Sequence, residues 1–241
     1  MENTSLIALS RALTLQRHMT MVANNVANMS TTGFKAEQPL FVEYIEKPNR
    51  DEKYSMVLDR GSTRNLAPGP MTQTGNTLDV ALEGDGYFAV DTLNGPRYTR
   101  SGNFAMDSNR TLTNSSGLPV LDENGTQMTL PVGAREIRIT PEGDVSTERG
   151  PVGKLQIVKF AREQFMEQIG GGLYTTAERP IPVEEGETKV RQGFLEGSNV
   201  QSIREMTTMT EISRQYESIQ RLMQTDHERL RNAYAKLTKL S

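Results

Sequence analysis

Residues 209–223 read MTEISRQYESIQRLM, and this stretch decides the fold at the C-terminal end of the chain. Its apolar positions recur at alternating steps of three and four residues, at Met209, Ile212, Tyr216, Ile219 and Met223. The same spacing continues to Leu240, with a single charged interruption at Asp226. Such a heptad pattern predicts a long helix whose apolar seam packs against another helix.

The predicted C-terminal helix begins near Ser198 or Ser202. Ser198 is followed by Gln201, and Ser202 by Glu205, so both pairs fit a capping box that bonds the free amides of a helix start. No Pro or Gly follows Gly197. The helix can therefore continue for about 40 residues, which corresponds to ~60 Å.

A second helix is predicted at the N-terminal end, from Met1 to about Ser30. Its apolar residues form one stripe at steps of four and three residues: Ala8, Ala12, Leu15, Met19, Val22 and Val26. The cluster from Ser30 to Gly33 supplies the stop, with Gly in the position that tolerates a left-handed backbone.

Both ends of the chain thus carry an apolar seam, and an uncovered seam on a monomer would favour aggregation. The pattern indicates a structural protein that assembles with itself or with a partner. The predicted assembly interface consists of the N-terminal stripe together with Met209, Ile212, Tyr216, Ile219, Met223, Leu230 and Leu237.

Residues 36–72 are predicted to form an extended connector. They contain several residues that break regular structure, among them Pro39, Pro48 and Gly61. Aromatic and β-branched residues gather only between Leu40 and Ile45, where we expect one short strand.

Residues 73–195 carry the signals of a β-rich domain. Leu78, Val80 and Leu82 alternate with less apolar neighbours, as in a strand with one buried face. Asn94-Gly95 separates two strand-like runs and predicts a type I′ hairpin turn. Further Gly and Asn turn signals recur about every 8–12 residues, which is typical of short antiparallel strands.

The predicted fold class is therefore α+β. Residues 1–35 and 196–241 form a discontinuous helical domain of coiled-coil type, and residues 73–195 form a central antiparallel β-rich domain.

The composition disfavours an enzyme. The 241 residues include no Cys, and His18 and His227 are the two His residues, so zinc-thiolate, iron-sulfur and three-histidine metal sites are excluded within one chain. A net charge of -3 gives no electrostatic attraction to nucleic acid. No apolar run is long enough to span a membrane, and no cleavable signal peptide is expected. We expect no cofactor, metal or small-molecule substrate.

A dinucleotide-binding motif is the main chemical alternative. Residues 84–89, GDGYFA, match the G-x-G-x-x-G/A pattern, and a strand-like run precedes them. The motif requires a helix to follow, whereas the next residues favour a strand that ends in the Asn-Gly turn. A turn between strands is therefore the preferred interpretation.

Residues 23–35, ANNVANMSTTGFK, resemble the N-terminal signature of the bacterial flagellar rod and hook family. In that signature a helix ends in an Asn-rich segment followed by Thr-Gly-Phe-Lys. Further similar stretches occur in the family's order: residues 73–88, 98–104, 117–121, 193–200, 205–206 and 214–217. The family's turn motif corresponds here to Asn24, Asn25, Asn28, Thr32, Gly33, Phe34 and Lys35.

The resemblance implies a rod subunit whose terminal helices form an inner tube and whose β domain lies outside. It also implies that the chain is exported unfolded through the flagellar type III apparatus and assembles in the periplasm with proximal and distal rod subunits. Length and motifs resemble the proximal rod proteins most, and the distal rod paralogue is the alternative. From the residues alone, a β-domain adaptor or carbohydrate-binding module with a coiled-coil tail also stays open.

Overall fold

The structure is a computed structural model that describes residues 2–49, 52–134, 136–184 and 186–237. Within this part of the chain, two α-helices stand at the ends, α1 (Glu2–Ala27) and α2 (Ser202–Leu237). Both predicted helices are confirmed, and α2 begins near the later of its two predicted starts.

The strands between the helices are β1 (Glu37–Asn49), β2 (Glu52–Arg64), β3 (Met71–Gln73), β4 (Val80–Glu83), β5 (Tyr87–Val90), β6 (Arg97–Thr99), β7 (Phe104–Met106), β8 (Leu112–Asn114), β9 (Ile137–Ile139), β10 (Asp144–Thr147), β11 (Gly150–Lys154), β12 (Ile157–Lys159), β13 (Glu167–Gly170), β14 (Leu173–Thr175), β15 (Ile181–Pro182), β16 (Lys189–Gln192) and β17 (Phe194–Glu196). A 3₁₀ turn, Glu163–Phe165, precedes β13. The α+β class predicted from the sequence is confirmed.

The described residues divide into two compact units. The helical unit comprises α1, the β1–β2 hairpin and α2, within Met1–Ala27, Glu37–Asn65 and Gln201–Ser241. The β unit comprises Asn28–Ala36 and Leu66–Val200. The chain therefore passes between the units several times, rather than completing one before starting the other.

The helical unit is built on contact between α1 and α2. The apolar cluster at this contact contains the buried residues Ala8, Ala12, Leu15, Val22, Ile212 and Ile219, and Met19, Val26, Met209, Tyr216 and Met223 pack against them half-buried. Asn25, near the end of α1, donates a hydrogen bond to Glu205, near the start of α2. Arg11, in the first half of α1, lies beside Leu222, in the second half of α2. The two helices are therefore antiparallel.

The β1–β2 hairpin corrects the prediction for residues 37–64. Instead of a connector with one short strand, they form two paired antiparallel strands. The residues interpreted as breakers lie where the pairing of the two strands is irregular. One register shift lies between Pro39 and Phe41, opposite Gly61. A second register shift lies between Glu46 and Asn49 and contains Pro48. Gly61 has a φ of 118°, so it supplies the left-handed residue of a bulge.

The β unit consists of antiparallel sheets, as predicted. The largest has six strands in the order β13-β14-β6-β5-β12-β15, and β9, β10 and β11 form a smaller one. β5 is buried on both faces, with Phe88 and Val90 in one apolar cluster and Tyr87 and Ala89 in another. All four residues of this strand are therefore apolar or aromatic instead of alternating with polar ones.

The turn at Asn94-Gly95 differs from the predicted type. Gly95 has a φ of 91°, but Asn94 is not at positive φ, and the amide of Gly95 donates to the carbonyl of Thr92 at 2.9 Å. A type I′ turn requires positive φ at both central residues, so the prediction was wrong. Six residues, Asp91 to Pro96, separate β5 from β6, and this longer loop removes the constraint that a two-residue turn imposes.

No helix in the described ranges is long and apolar enough to cross a membrane. Within the same residues, no three His, Cys, Asp or Glu side chains are grouped to hold a metal ion. Residues 84–89 lead into β5 and not into a helix, which fits a turn between strands.

Candidate assembly site

The Asn-rich end of α1 is tied to β1 within the helical unit. Asn25 is 1% exposed, and its amide forms two hydrogen bonds with the backbone of Glu37: Nδ2 donates to the carbonyl at 2.8 Å, and Oδ1 accepts from the amide at 2.9 Å. Nδ2 also donates to Glu205 on α2 at 3.3 Å. One side chain thus links three elements of this unit.

Of the other turn-motif residues, Asn24 belongs to the helical unit, and the residues from Asn28 to Lys35 belong to the β unit. Asn28 accepts from the amide and the hydroxyl of Thr31, while Thr32 is half-buried and Asn24 is exposed on the last turn of α1. The amide of Gly33 then donates to the carbonyl of Glu196 at 2.8 Å.

Gly33 is required at its position for two reasons. Its φ is 69°, a conformation that side chains with a Cβ disfavour. A Cβ there would also lie 2.6 Å from the backbone carbonyl carbon of Arg100. The Thr-Gly-Phe sequence therefore allows this segment to lie directly on the backbone that follows β6, with Phe34 only 1% exposed.

Behind the turn motif, the β unit contains a buried group of three charged side chains. Lys35 Nζ donates to Glu196 Oε1 at 2.7 Å, and Arg100 Nε donates to Glu196 Oε2 at 2.6 Å. The side chains of Lys35, Arg100 and Glu196 are 5%, 6% and 1% exposed. We call Lys35, Arg100 and Glu196 the charge triad.

Each member of the charge triad also bonds to backbone. Lys35 Nζ donates to the carbonyl of Ala67 at 3.0 Å, and Glu196 Oε1 accepts from the amide of Gly69 at 2.9 Å. Arg100 donates to carbonyls that flank the turn between β4 and β5, those of Leu82, Gly84 and Gly86. Buried charges are tolerated when their hydrogen-bonding capacity is used in this way.

The protonation of Glu196 reflects these partners. Burial raises the pKa of this carboxyl, but the charge of Arg100 and the hydrogen bonds from Lys35 and Arg100 together outweigh burial and hold the pKa below its ordinary value. For Lys35, burial has the largest effect and lowers the pKa of the ammonium, against the opposing influence of Glu196.

Three chain segments of the β unit converge on the charge triad: residues 28–36, 66–70 and 196–200. Asn199 adds to their connection, because its Oδ1 accepts from the amide of Ala36 at 2.7 Å and its Nδ2 donates to Ala67 at 2.8 Å. In the described residues, the chain enters the β unit at residues 28 and 66 and leaves it at residues 36 and 200. Each of these residues is the end of one of the three segments.

The predicted interface residues lie on the faces of α1 and α2 that pack together within one chain. This holds for the whole N-terminal stripe and for α2 from Met209 to Met223. The side chains of Leu230 and Leu237 lie outside the described residues. A contact between these residues and other subunits stays a prediction.

The structure adds exposed apolar residues on other faces of the helices. Leu6, Leu9 and Leu13 on α1 are 54%, 45% and 58% exposed. On α2, the exposed residues are Ile203, Met206 and Leu222. The spacing of the three leucines on α1 places them along one face, which the contact with α2 leaves open.

The sequence patterns predict no role for the charge triad. Lys35 belongs to the turn motif, while Arg100 and Glu196 lie in other stretches of family resemblance. Buried Lys, Arg and Glu are rare, so their inclusion in motifs rich in Gly and aromatic residues was the available signal.

Three family models match this chain. The model described as "Flagella basal body rod protein" matches residues 6–35, and that described as "Flagellar basal body rod FlgEFG protein C-terminal" matches residues 191–235. The third, "Flagellar hook protein FlgE/F/G D1 domain", matches residues 81–147.

Curated proteins are similar over most or all of the chain. The flagellar basal-body rod protein FlgF of Caulobacter vibrioides is 36% identical, with 100% of both chains covered. FlgF of Escherichia coli is 32% identical over 90% of this chain and 91% of its own. The flagellar basal-body rod protein FlgG of Bacillus subtilis is 31% identical, with 88% of this chain and 90% of its own length covered.

Proposed function

This chain belongs to the flagellar basal-body rod protein family, and from that membership we propose how it builds a rod. It is a FlgF-like structural subunit of the rod and not an enzyme, and it assembles with other rod subunits. We infer that the assembly contacts lie on the faces of α1 and α2 that their own pairing leaves uncovered.

The observation that carries this proposal is the row of Leu6, Leu9 and Leu13 on α1, each about half exposed. When two helices pair, each buries one face. The second apolar face, on α1, can be buried by contact with a further layer of helices. Burial of apolar surface contributes about 25 cal/mol per Å², so covering this row favours association.

The seams also support a finer proposal. Within the terminal segments 1–35 and 196–241, α1 and α2 form a coiled-coil inner layer, and residues 73–195 form the outer layer. The heptad spacing of the terminal helices supports the coiled coil. We further propose that the chain passes unfolded through the flagellar type III export apparatus without a cleaved signal peptide. The assembled subunit is located in the periplasm and transmits torque.

The test replaces the exposed leucines of α1 by charge. Leu9→Asp combined with Leu13→Asp should reduce the amount of this chain in purified basal bodies by about tenfold or more and abolish swimming, because charge would face an apolar interface. Immunoblots of basal bodies and swimming in soft agar measure both effects.

Leu93→Asp is the matched control, because Leu93 is fully exposed in the loop between β5 and β6. This variant should assemble normally. Circular dichroism of the purified variants must show unchanged helix content. Wild-type incorporation of the double variant would contradict the assignment of this face to assembly.

A further inference from the structure

A groove of about 500 Å³ runs along the helical unit between α1 and α2. Its apolar part is formed by Ile219, which is buried, and Leu222, which is 51% exposed. Arg11 on α1 and Arg221 on α2 line the same groove, and its other lining residues are short or uncharged polar side chains of α2.

The charges of this groove are of one sign. No acidic side chain is among its lining residues. Arg11 and Arg221 are both exposed. In the part of the chain that the structure describes, neither of them forms an ion pair. Two guanidinium groups beside an exposed Leu favour a ligand that carries carboxylates next to an apolar side chain.

We propose that this groove binds an acidic helix of a neighbouring rod subunit, with an apolar side chain on Leu222 and carboxylates on Arg11 and Arg221. The inference rests on the proposed function, since it names the chemistry of one partner surface. A third helix fits a groove between two helices because its side-chain ridges fill the space between theirs.

The charge pattern of α2 favours a protein partner over an anionic membrane. Surfaces that bind anionic lipid carry clusters of about 4–8 basic residues. This groove has two, and the exposed acidic residues Glu211 and Glu217 lie on the same helix. Paired recognition by two Arg residues suits carboxylates at defined positions better than a diffuse negative surface.

The experiment reverses one charge at a time in the complete chain, in the host bacterium. Arg11→Glu and Arg221→Glu should each lower the amount of the chain in purified basal bodies by about tenfold or more, because like charges would meet in the groove. Arg231→Glu, an equal change at an exposed position of α2 that does not line the groove, should leave incorporation unchanged.

Suppressor selection supplies the readout that identifies the partner's chemistry. Motile revertants of Arg221→Glu should carry an acidic residue changed to Lys or Arg in a helix of a rod subunit. Thermal unfolding of the purified variants must match that of the wild type, since both side chains are exposed. Incorporation at the wild-type level for both variants would overturn the proposal.

Two further outcomes separate the alternatives. Arg-dependent sedimentation with phosphatidylglycerol vesicles, together with normal incorporation of the variants, would overturn the proposal in favour of a membrane contact. A strain that lacks the chain must fail to build complete rods; if it builds them, the proposed function itself fails, whereas normal rods in the charge-reversed strains alone reject only the groove.

Discussion

At the scale of single residues, Glu196 determines how distant parts of the β unit meet. Its two cationic partners are 161 and 96 residues away along the chain. A buried ion pair contributes little net stability, because desolvation offsets the attraction, but an unpaired buried charge is strongly unfavourable. The charge triad therefore penalises any arrangement in which residues 28–36, 66–70 and 196–200 are not brought together.

Glu196→Gln tests the role of the charge triad. This change removes the charged carboxylate to which both buried cations bond, and we expect it to lower the free energy of unfolding at pH 7 by roughly 3–5 kcal/mol. Urea denaturation followed by tyrosine fluorescence measures the loss. Glu167→Gln, at an exposed position of β13, is the control and should have little effect. Equal stability of the two variants would contradict the role of the charge triad.

The same carboxyl predicts a pH dependence. Because the folded pKa of Glu196 lies below its ordinary value of 4.5, its stabilising contribution is complete above that value and is lost as the pH falls through the lowered folded pKa. The wild type should therefore lose more stability than Glu196→Gln on acidification below about pH 4.5. Parallel pH profiles of the two proteins would count against this ionisation.

The sequence predicted the turn motif but not the contacts that it makes. The family resemblance predicts a turn from Asn24 to Lys35, and the left-handed tendency of Gly33 predicts the end of the helix. That Lys35 pairs with Glu196 depends on tertiary structure, because no local pattern relates residues so far apart.

At the scale of elements, the apolar seams of α1 and α2 are used within one chain. Ile212 and Ile219 are 3% and 9% exposed, so the seam of α2 is covered before any neighbour binds. The row of Leu6, Leu9 and Leu13 is not. Substitutions on the two faces should therefore act at different stages, the first on folding of the helical unit and the second on assembly.

We accordingly expect Ile212→Asp or Ile219→Asp to unfold the helix pair while the β unit stays folded. A buried unpaired charge costs roughly 3–5 kcal/mol, and among the residues of the helical unit whose burial is described few others are buried to offset it. Loss of helical signal in circular dichroism, with residues 66–200 still resistant to trypsin, is the expected result. Gln220→Asp, at an exposed position of α2, should keep the helices, and retained helix content in either Ile variant would contradict the prediction.

Helices were predictable from the sequence and the hairpin was not, for a physical reason. An apolar period of about 3.6 residues has one interpretation over a long segment. Pro39, Pro48 and Gly61 were interpreted as ends of structure because they disrupt regular pairing, yet irregularities in the β1–β2 register accommodate them.

At the scale of the whole molecule, the two units should differ in resistance to local unfolding. Among the described residues, the β unit contains two apolar clusters, whereas the helical unit contains one, along the contact of α1 with α2. Segments with few buried contacts open most readily.

Limited trypsin digestion of the isolated chain should therefore cut first in the Arg-rich second half of α2 and leave a resistant fragment that contains residues 66–200. Mass spectrometry of the early fragments identifies the cuts. Addition of purified basal bodies that lack this chain should protect α2 if assembly covers it. First cuts between β4 and β14 would contradict the expected order of stability.

The convergence of residues 28–36, 66–70 and 196–200 has a consequence for what the chain can carry. The segment through which the chain first enters the β unit contacts the segment through which it finally leaves. The amide of Gly33 donates a hydrogen bond to the carbonyl of Glu196 at 2.8 Å. This is the geometry of an inserted module whose ends are adjacent. We therefore expect an insertion in the exposed loop around Leu93 to leave the contacts among residues 28–36, 66–70 and 196–200 unchanged.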